Sequence, residues 1–295
     1  LNGTPGGAYN FWFTAATEAN TLFVNKRPIS PNGAAPLGSR TNPETQIDVA
    51  LERASLEGFK VVRIVGNGGA DNNLTTQGDN EPYQIGYPST ITDPPLVDGE
   101  TMRVPRNVAV MIDAGAIFKL RLASIDVGSF AQGVDFSGGS LQVLGTPTNS
   151  VFFTSWNNEA IGRDVTPLST TPSPGNWGGI VFRNELDYDE PDDLGNKRPV
   201  LETEGIFYNY INHADISYAG GDVHVVNDPE PFAPIHMQEA RPTISFNRIT
   251  RSAGAAMSAD PNSFEESHYF DPQVQSRTQN PYAAAGTGIH TYELR

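Results

Sequence analysis

The chain has 295 residues, with 19 Lys and Arg against 34 Asp and Glu and a formal net charge of −15. A surface this acidic repels nucleic acid and anionic membranes, which excludes functions that need a basic footprint and leaves divalent cations as the charged partners. Cysteine is absent, so disulfides, thiolate metal sites and a cysteine nucleophile are excluded as well.

Residues 1–20 hold one aromatic strand, 8-AYNFWF-13, flanked by Gly, and read as a linker or edge strand from a preceding module. Residues 21–100 read as the start and cap of a stack, beginning with the strand 21-TLFVNK-26. Asn42-Pro43-Glu44 has the composition of a helix start, Ile47, Ala50, Leu51 and Ala54 follow at helical spacing, and Gly58 ends the run. The strand 60-KVVRIVGN-67 comes next. An amphipathic helix in that position covers the open end of a first coil and keeps its interior from other chains.

From 101 to 295 a short unit recurs: 102-MRVPRNVAVMIDAGAIFKL-120, 140-SLQVLGTPTNSVFFTS-155, 209-NYINHADISY-218 and 242-PTISFNRITRS-252. Each copy carries two runs of about four to six residues, rich in Val, Ile and Phe and alternating apolar with polar, around a turn-forming corner. Runs this short cannot close a core alone and must stack on one another. The expected fold is all-β, a right-handed parallel β-helix (solenoid) with a short N-terminal capping helix. A β-sandwich uses strands of the same length, but the hairpin dipeptides it needs are scarce here. Taking Val110, Leu141, Ile180, Ile211 and Ile244 as equivalent inward positions gives steps of 31, 39, 31 and 33 residues. The longest step contains the Pro- and Gly-rich stretch 156–179, read as a loop between rungs. The segment 288-GIHTYELR-295 resembles a strand just begun, so the coils are expected to continue beyond the given C-terminus. No apolar run approaches the roughly 18 residues of a membrane helix, and no charged leader precedes the fold, whose first residue is Leu. The chain therefore reads as a mature or excised segment without membrane insertion.

The pattern 22-LFVNK-26, 43-PETQIDVALERA-54 and 61-VVRIVGN-67 resembles the N-terminal start of pectate-lyase-like, right-handed parallel β-helix proteins. The segments 141-LQVLGTPTNSVFFTS-155 and 174-PGNWGGIVF-182 are similar to elements in the β-helix regions of very large secreted or cell-surface bacterial proteins. The resemblance covers about residues 21 to 255 and implies the fold and an extracellular or cell-surface setting. It implies nothing about catalysis, since one fold hosts lyases, hydrolases, adhesins and passive stalks alike.

Enzymes that this fold resembles use clustered Asp for calcium with a basic proton acceptor, or an Asn-Thr-Asp, paired-Asp, Gly-His-Gly and Arg-Ile-Lys set on successive coils. Neither set is present in the sequence. Asp192-Asp193 falls in the polar loop 186-LDYDEPDDLGNKRP-199 and reads as a solvated acidic turn. His213 and Asp215 project on one side of a strand, an arrangement read as a hydrogen-bonded surface pair in preference to a proton-transfer couple. His224 and His236 lie twelve residues apart, with no local metal-ligand logic. The 66-GNGG-69 run lacks the Lys and the following helix of a phosphate loop and reads as a turn. Asp71, Asp79 and Glu81, and Asp187, Asp189, Asp192 and Asp193, supply hard oxygen ligands on flexible backbone and are the candidate calcium ligands. Trp12, Trp156, Trp177, Tyr208, Tyr210 and Tyr218 would form a carbohydrate platform if exposed on one face, although Trp177, between glycines, is expected to pack over a coil corner. Asn107, Asn149, Asn212 and Asn247 are expected to build corner hydrogen bonds.

Together these features lead to a noncatalytic extracellular structural or adhesive β-helical segment of a large bacterial surface protein or fibre. Its expected partners are copies of itself, head to tail through strand 8–13 or laterally, flanking domains of the same parent chain, and surface polysaccharide. The alternative is a polysaccharide lyase or glycoside hydrolase-like enzyme, marked by acidic and basic side chains converging in a groove on one β-face.

Overall fold

The computed structural model describes residues 16–27, 35–67, 80–129, 135–167, 169–183, 208–225, 228–231, 233–238, 240–260 and 263. The expected edge strand 8–13, the acidic loop 186–199 and the stretch 288–295 lie outside the described residues.

The chain opens with β1 (Thr21–Val24), α1 (Ile47–Glu57), β2 (Val61–Ile64), β3 (Tyr83–Gly86) and β4 (Met102–Arg103). Four circuits of three strands follow. The first two are β5 (Ala109–Asp113), β6 (Ile117–Arg121) and β7 (Ile125–Val127), then β8 (Ser140–Leu144), β9 (Val151–Ser155) and β10 (Ile180–Arg183). The third has β11 (Tyr210–Asn212) and β12 (Ala214–Ser217), then an antiparallel hairpin of β13 (Asp222–Val225) and β14 (Asp228–Pro231), and closes with β15 (Ile235–Gln238). The fourth is β16 (Thr243–Ser245), β17 (Arg248–Thr250) and β18 (Met257–Ala259).

Strands from successive circuits pair in parallel to make three sheets, ordered β1-β2-β5-β8-β11-β16, β3-β6-β9-β12-β17 and β4-β7-β10-β15-β18. Each sheet gains one strand per circuit, an arrangement compatible with a parallel β-helix. Alternation along each strand sends every second side chain inward, and parallel in-register pairing sets it on its counterpart one circuit away. The result is a set of apolar columns. Val24, Ile64, Ile112, Val143, Ile211 and Ile244 form one in the first sheet. Met102, Ile125, Ile180, Ile235 and Met257 form another in the third. In the second sheet Tyr83, Phe118 and Phe153 stack with ring centroids 5.2 and 5.0 Å apart. Trp177 extends this aromatic column at 6.5 Å, fully buried, and its indole donates to the Ser217 carbonyl at 2.9 Å. Its ring is part of the interior, and the buried indole N–H has its hydrogen-bond partner there.

The expected register is right for Val110 and Leu141, which pair, and for Ile211 and Ile244, which pair, but Ile180 belongs to another sheet. Leu141 neighbours the column of Val143 and Ile211, so the in-register step from Val143 to Ile211 is 68 residues. The stretch 156–179 lies within a circuit, between β9 and β10, not between rungs. Apolar runs recur three times in each circuit, whereas a column takes one residue per circuit, so spacing alone does not assign a run to its sheet.

Close stacking also dictates glycine at circuit corners. At Gly128 (φ +84) a Cβ would sit 1.6 Å from the Arg183 carbonyl oxygen of the next circuit, a clash no side chain relieves.

The helix covers the first circuit as expected: Ile47, Ala50, Leu51 and Ala54 are buried in the shared core. Its start differs from the expected one. Glu44 is extended, bridging to Val24 in parallel, and its carboxylate takes the Arg53 guanidinium. The cap residue is Gln46, whose side chain does not cap; the Asp98 carboxylate instead accepts from the Ile47 amide at 3.1 Å. Asp98 also accepts from the Gln84 amide and pairs with Lys26, both at 2.7 Å. It is fully buried, and that burial raises its pKa against the pull of Lys26. One carboxylate thus joins the end of β1, the start of α1 and β3. Asp98→Ala is expected to strand the largely buried Lys26 ammonium and two backbone donors, the Ile47 amide at the helix start and the Gln84 amide on β3, at about 3 kcal/mol or more, read as a lower denaturant midpoint with unchanged slope.

Candidate functional site

The second sheet, β3-β6-β9-β12-β17, carries the chain's candidate chemistry on its outer face. Outward positions run Gln84, Lys119 and Thr154 along one row, and Phe152, Asp215 and Arg248 along the next. The two halves of this face are treated differently.

Over β3, β6 and β9 the stretch after β9 lies as a strap. Trp156 donates its indole N–H to Gln84 Oε1 at 3.1 Å, Asn158 donates to Thr154 Oγ1 at 2.8 Å, and Ser155 donates to Asn176 Oδ1 at 2.7 Å. The Arg163 amide donates to the Asn80 carbonyl at 2.7 Å, and its side chain pairs with Glu81. Lys119 is buried beneath the strap and donates from Nζ to the Arg163 carbonyl at 2.7 Å. Burial pushes its pKa down to about 8, and the carboxylates of Asp164 and Glu159 offset only part of that cost.

Over β12 and β17 the face is open. His213, Tyr218, Phe246 and Arg251 are at circuit corners, all with left-handed backbone (φ 50, 63, 56 and 55). His213 and Phe246 meet edge to face at 5.0 Å, and Phe246 is 82% exposed. At the other corner the Arg251 guanidinium lies 5.3 Å over the Tyr218 ring and donates to its hydroxyl at 2.8 Å. Between the corners Arg248 pairs with Asp215 at 3.6 Å. Asp215 has a raised pKa because burial outweighs the attraction of Arg248 and Arg251.

On the third sheet, Asp126 accepts from Arg183 at 2.9 Å and from Ser124 at 3.1 Å, with Arg103 at 3.8 Å. His236 and Ser258 are hydrogen-bonded at 2.8 Å on the same sheet. Acidic and basic groups do converge here, but Asp126 and Arg183 are both buried and spent on each other.

His213 and Asp215 are not hydrogen-bonded to each other: His213 Nδ1 faces Asn212 Oδ1 at 3.2 Å while Asp215 turns to Arg248. The left-handed corner at His213 rotates its ring off the strand's outward direction. Of the candidate calcium ligands, Glu81 is engaged by Arg163, while Asp71, Asp79, Asp187, Asp189, Asp192 and Asp193 lie outside the described residues. Among the described residues no three His, Asp or Glu side chains gather into a metal-binding group. The aromatic platform does not assemble either. Trp156 and Trp177 are buried, Tyr210 is on the first sheet, Tyr218 is at a corner of the second, and Trp12 lies outside the described residues. Of the corner asparagines, two bond between circuits: Asn247 Oδ1 accepts from the Ala214 amide and its Nδ2 donates to the Ile211 carbonyl, both at 2.7 Å, and Asn212 Oδ1 accepts from the Ser245 hydroxyl at 3.1 Å. His224 is on β13 and His236 on β15.

The pairing of Phe246 with His213 and of Arg251 with Tyr218 was not foreseen, although each pair is separated by the 33 residues that also separate Ile211 from Ile244. Among the described residues no helix is long and apolar enough to cross a membrane. Comparison with protein-family models, with curated proteins and with solved structures gives no match; the three parallel sheets are compatible with a β-helix and do not extend to the pectate-lyase-like family.

Lys119 provides a test of the strap. Its pKa is below the ordinary Lys value of 10.5, so its contribution to stability is fully present above that pH and is lost as pH falls through about 8. Near pH 7 the buried ammonium therefore costs a few kcal/mol relative to a neutral side chain. In Lys119→Met this pH dependence disappears, and thermal melts of the two proteins at pH 7 and pH 9.5 should show wild type gaining on the variant as the pH rises.

Proposed function

We propose that the chain is a right-handed parallel β-helical segment with a noncatalytic structural or adhesive role in a large extracellular bacterial surface protein or fibre. The observation that carries this reading is the use of outward charged side chains to tie one circuit to another. Arg63 reaches Asp113 at 3.0 Å across β2 and β5, Arg183 reaches Asp126 across β10 and β7, and Arg248 reaches Asp215 across β17 and β12. Cross-strand pairs of this kind act along the stacking axis, on top of the inner columns, and resist bending and slippage between circuits. Right-handedness is supported by the near-universal hand of parallel crossover connections. An extracellular site and a bacterial origin are supported by the resemblance of segments 141–155 and 174–182 to elements of large bacterial surface proteins.

Small-angle scattering of the purified chain should give the cross-section and length of a stiff rod, and incubation with polygalacturonate or neutral glucans should yield no shortened products. A compact spherical particle removes the rod, and turnover of any of these polymers establishes the lyase or hydrolase alternative. Calcium at the acidic loops 71–82 and 186–199 belongs to the same proposal; a ligand held only by the folded chain raises the melting midpoint, so coincident melts in calcium and in chelator exclude it.

A further inference from the structure

The strap over the second sheet is fastened unevenly. Its base is tied several times: Ser155 donates to Asn176 Oδ1 at 2.7 Å, Arg121 donates to Asn157 Oδ1 at 3.1 Å, and Asn158 donates to Thr154 Oγ1 at 2.8 Å. Its tip depends on one residue. Arg163 donates its amide to the Asn80 carbonyl at 2.7 Å, pairs its side chain with Glu81, and accepts from Lys119 Nζ on its own carbonyl at 2.7 Å. The chain reaches this point through Gly162 (φ +69), which lies against Ile117, a residue of β6 in the outward row of Phe152 that is nonetheless fully buried.

Lys119 is the poorly matched partner in this set. It is fully buried, and an ammonium has three N–H groups to satisfy. Among the described residues only the Arg163 carbonyl accepts from it, and no carboxylate forms an ion pair with it. The charged groups around it are Glu159, Arg163 and Asp164 on the strap, Glu81 before β3 and Arg121 on its own strand, while its neighbours Gln84 on β3 and Thr154 on β9 are neutral. Each acid is already engaged, Glu159 by Thr170, Asp164 by Thr166 and Glu81 by Arg163. A neutral amine leaves fewer donors unmet and takes no charge out of water, so proton uptake and a closed tip oppose each other.

We propose that residues 156–167 act as a pH-sensitive cover, its tip at Arg163 opening when Lys119 takes up a proton and closing when Lys119 is neutral. Opening brings Lys119 and Ile117 to solvent and extends the open outer face of the second sheet from β12 and β17 toward β6. The base holds, because none of its bonds involves a group that titrates in this range. The direction follows from linkage: with the tip closed, burial holds the Lys119 pKa at about 8, and with the tip open it returns toward 10.5. The closed tip is therefore firmest above pH 10.5, loosens as the pH falls to about 8, and changes little below that.

The test is site-resolved acetylation of the full chain with an N-hydroxysuccinimide ester, read by mass spectrometry at pH 7 and pH 9.5. Only a neutral amine in solvent reacts, so the exposed Lys60 reports the intrinsic amine chemistry and the ratio of Lys119 to Lys60 labelling reports the open fraction. That ratio should fall by about thirtyfold from pH 7 to pH 9.5. Glu81→Gln, which releases the Arg163 side chain, should raise the ratio by about two- to fivefold at both pH values. Its melting midpoint should stay within a few degrees of wild type; should it melt early, the wild-type ratio carries the test. Lys26, largely buried beside Asp98, marks unfolding of the body of the molecule, and Lys119 should react well ahead of it. A ratio that is unchanged or rises with pH overturns the switch, and a folded Glu81→Gln with the wild-type ratio overturns the Arg163 tip. Lys119 reacting no faster than Lys26 assigns its exposure to unfolding of the whole chain and overturns the cover itself.

Discussion

Every strand among the described residues is too short to bury a core of its own, and the structure depends on the way that is solved: inward side chains rest on the equivalent side chains one circuit away. A three- to five-residue strand such as β11 or β16 offers one or two inward positions. Ile211 and Ile244 become interior only because Val143 and its column lie beneath them. The hydrophobic contribution is thus a property of neighbouring circuits and not of any one of them, as in other repeat architectures. It explains why inward residues often repeat in chemical type, aliphatic along Val24, Ile64, Ile112, Val143, Ile211 and Ile244 in the first sheet and aromatic along Tyr83, Phe118 and Phe153 in the second.

A stack of this kind must be closed where it starts, and the device used combines an apolar lid with a buried charge. The apolar part is ordinary: one stripe of α1 faces the first circuit. The charged part is Asp98, which arrives from beyond β3 to satisfy the helix start, a strand amide and Lys26 together. A buried carboxylate is costly unless its lone pairs are filled. Here they are filled by groups from three elements, so the position of each element depends on the others. That interdependence fixes where the helix begins, at Ile47 and not at Pro43.

Outside the core, the same strand alternation produces surfaces with different fates. Where the strap crosses β3, β6 and β9, outward polar groups become buried and must be paired one by one, including the lysine at position 119. Where it stops, over β12 and β17, outward groups stay in solvent, and side chains at left-handed corners splay beyond the sheet. Both fates follow from one geometry: stacking fixes the spacing of the corners, and the length of the strap decides which of them are open.

The stacked parallel organisation and the apolar stripe of α1 were legible in the chain because both rest on local periodicity: alternation along strands 109–113 and 140–144 and helical spacing from Ile47 to Ala54. Corner asparagines such as Asn247 were legible for a similar reason, since their preference for tight corners is local. What the chain by itself did not decide is which sheet an apolar run joins, as Ile180 shows, because three equivalent faces compete for the same pattern. Nor did it reveal that Asp98 caps a helix 51 positions upstream, that the strap buries Lys119, or that Phe246 and His213 share a corner. Each of these depends on a contact between residues far apart in sequence, brought together only when the circuits close and stack.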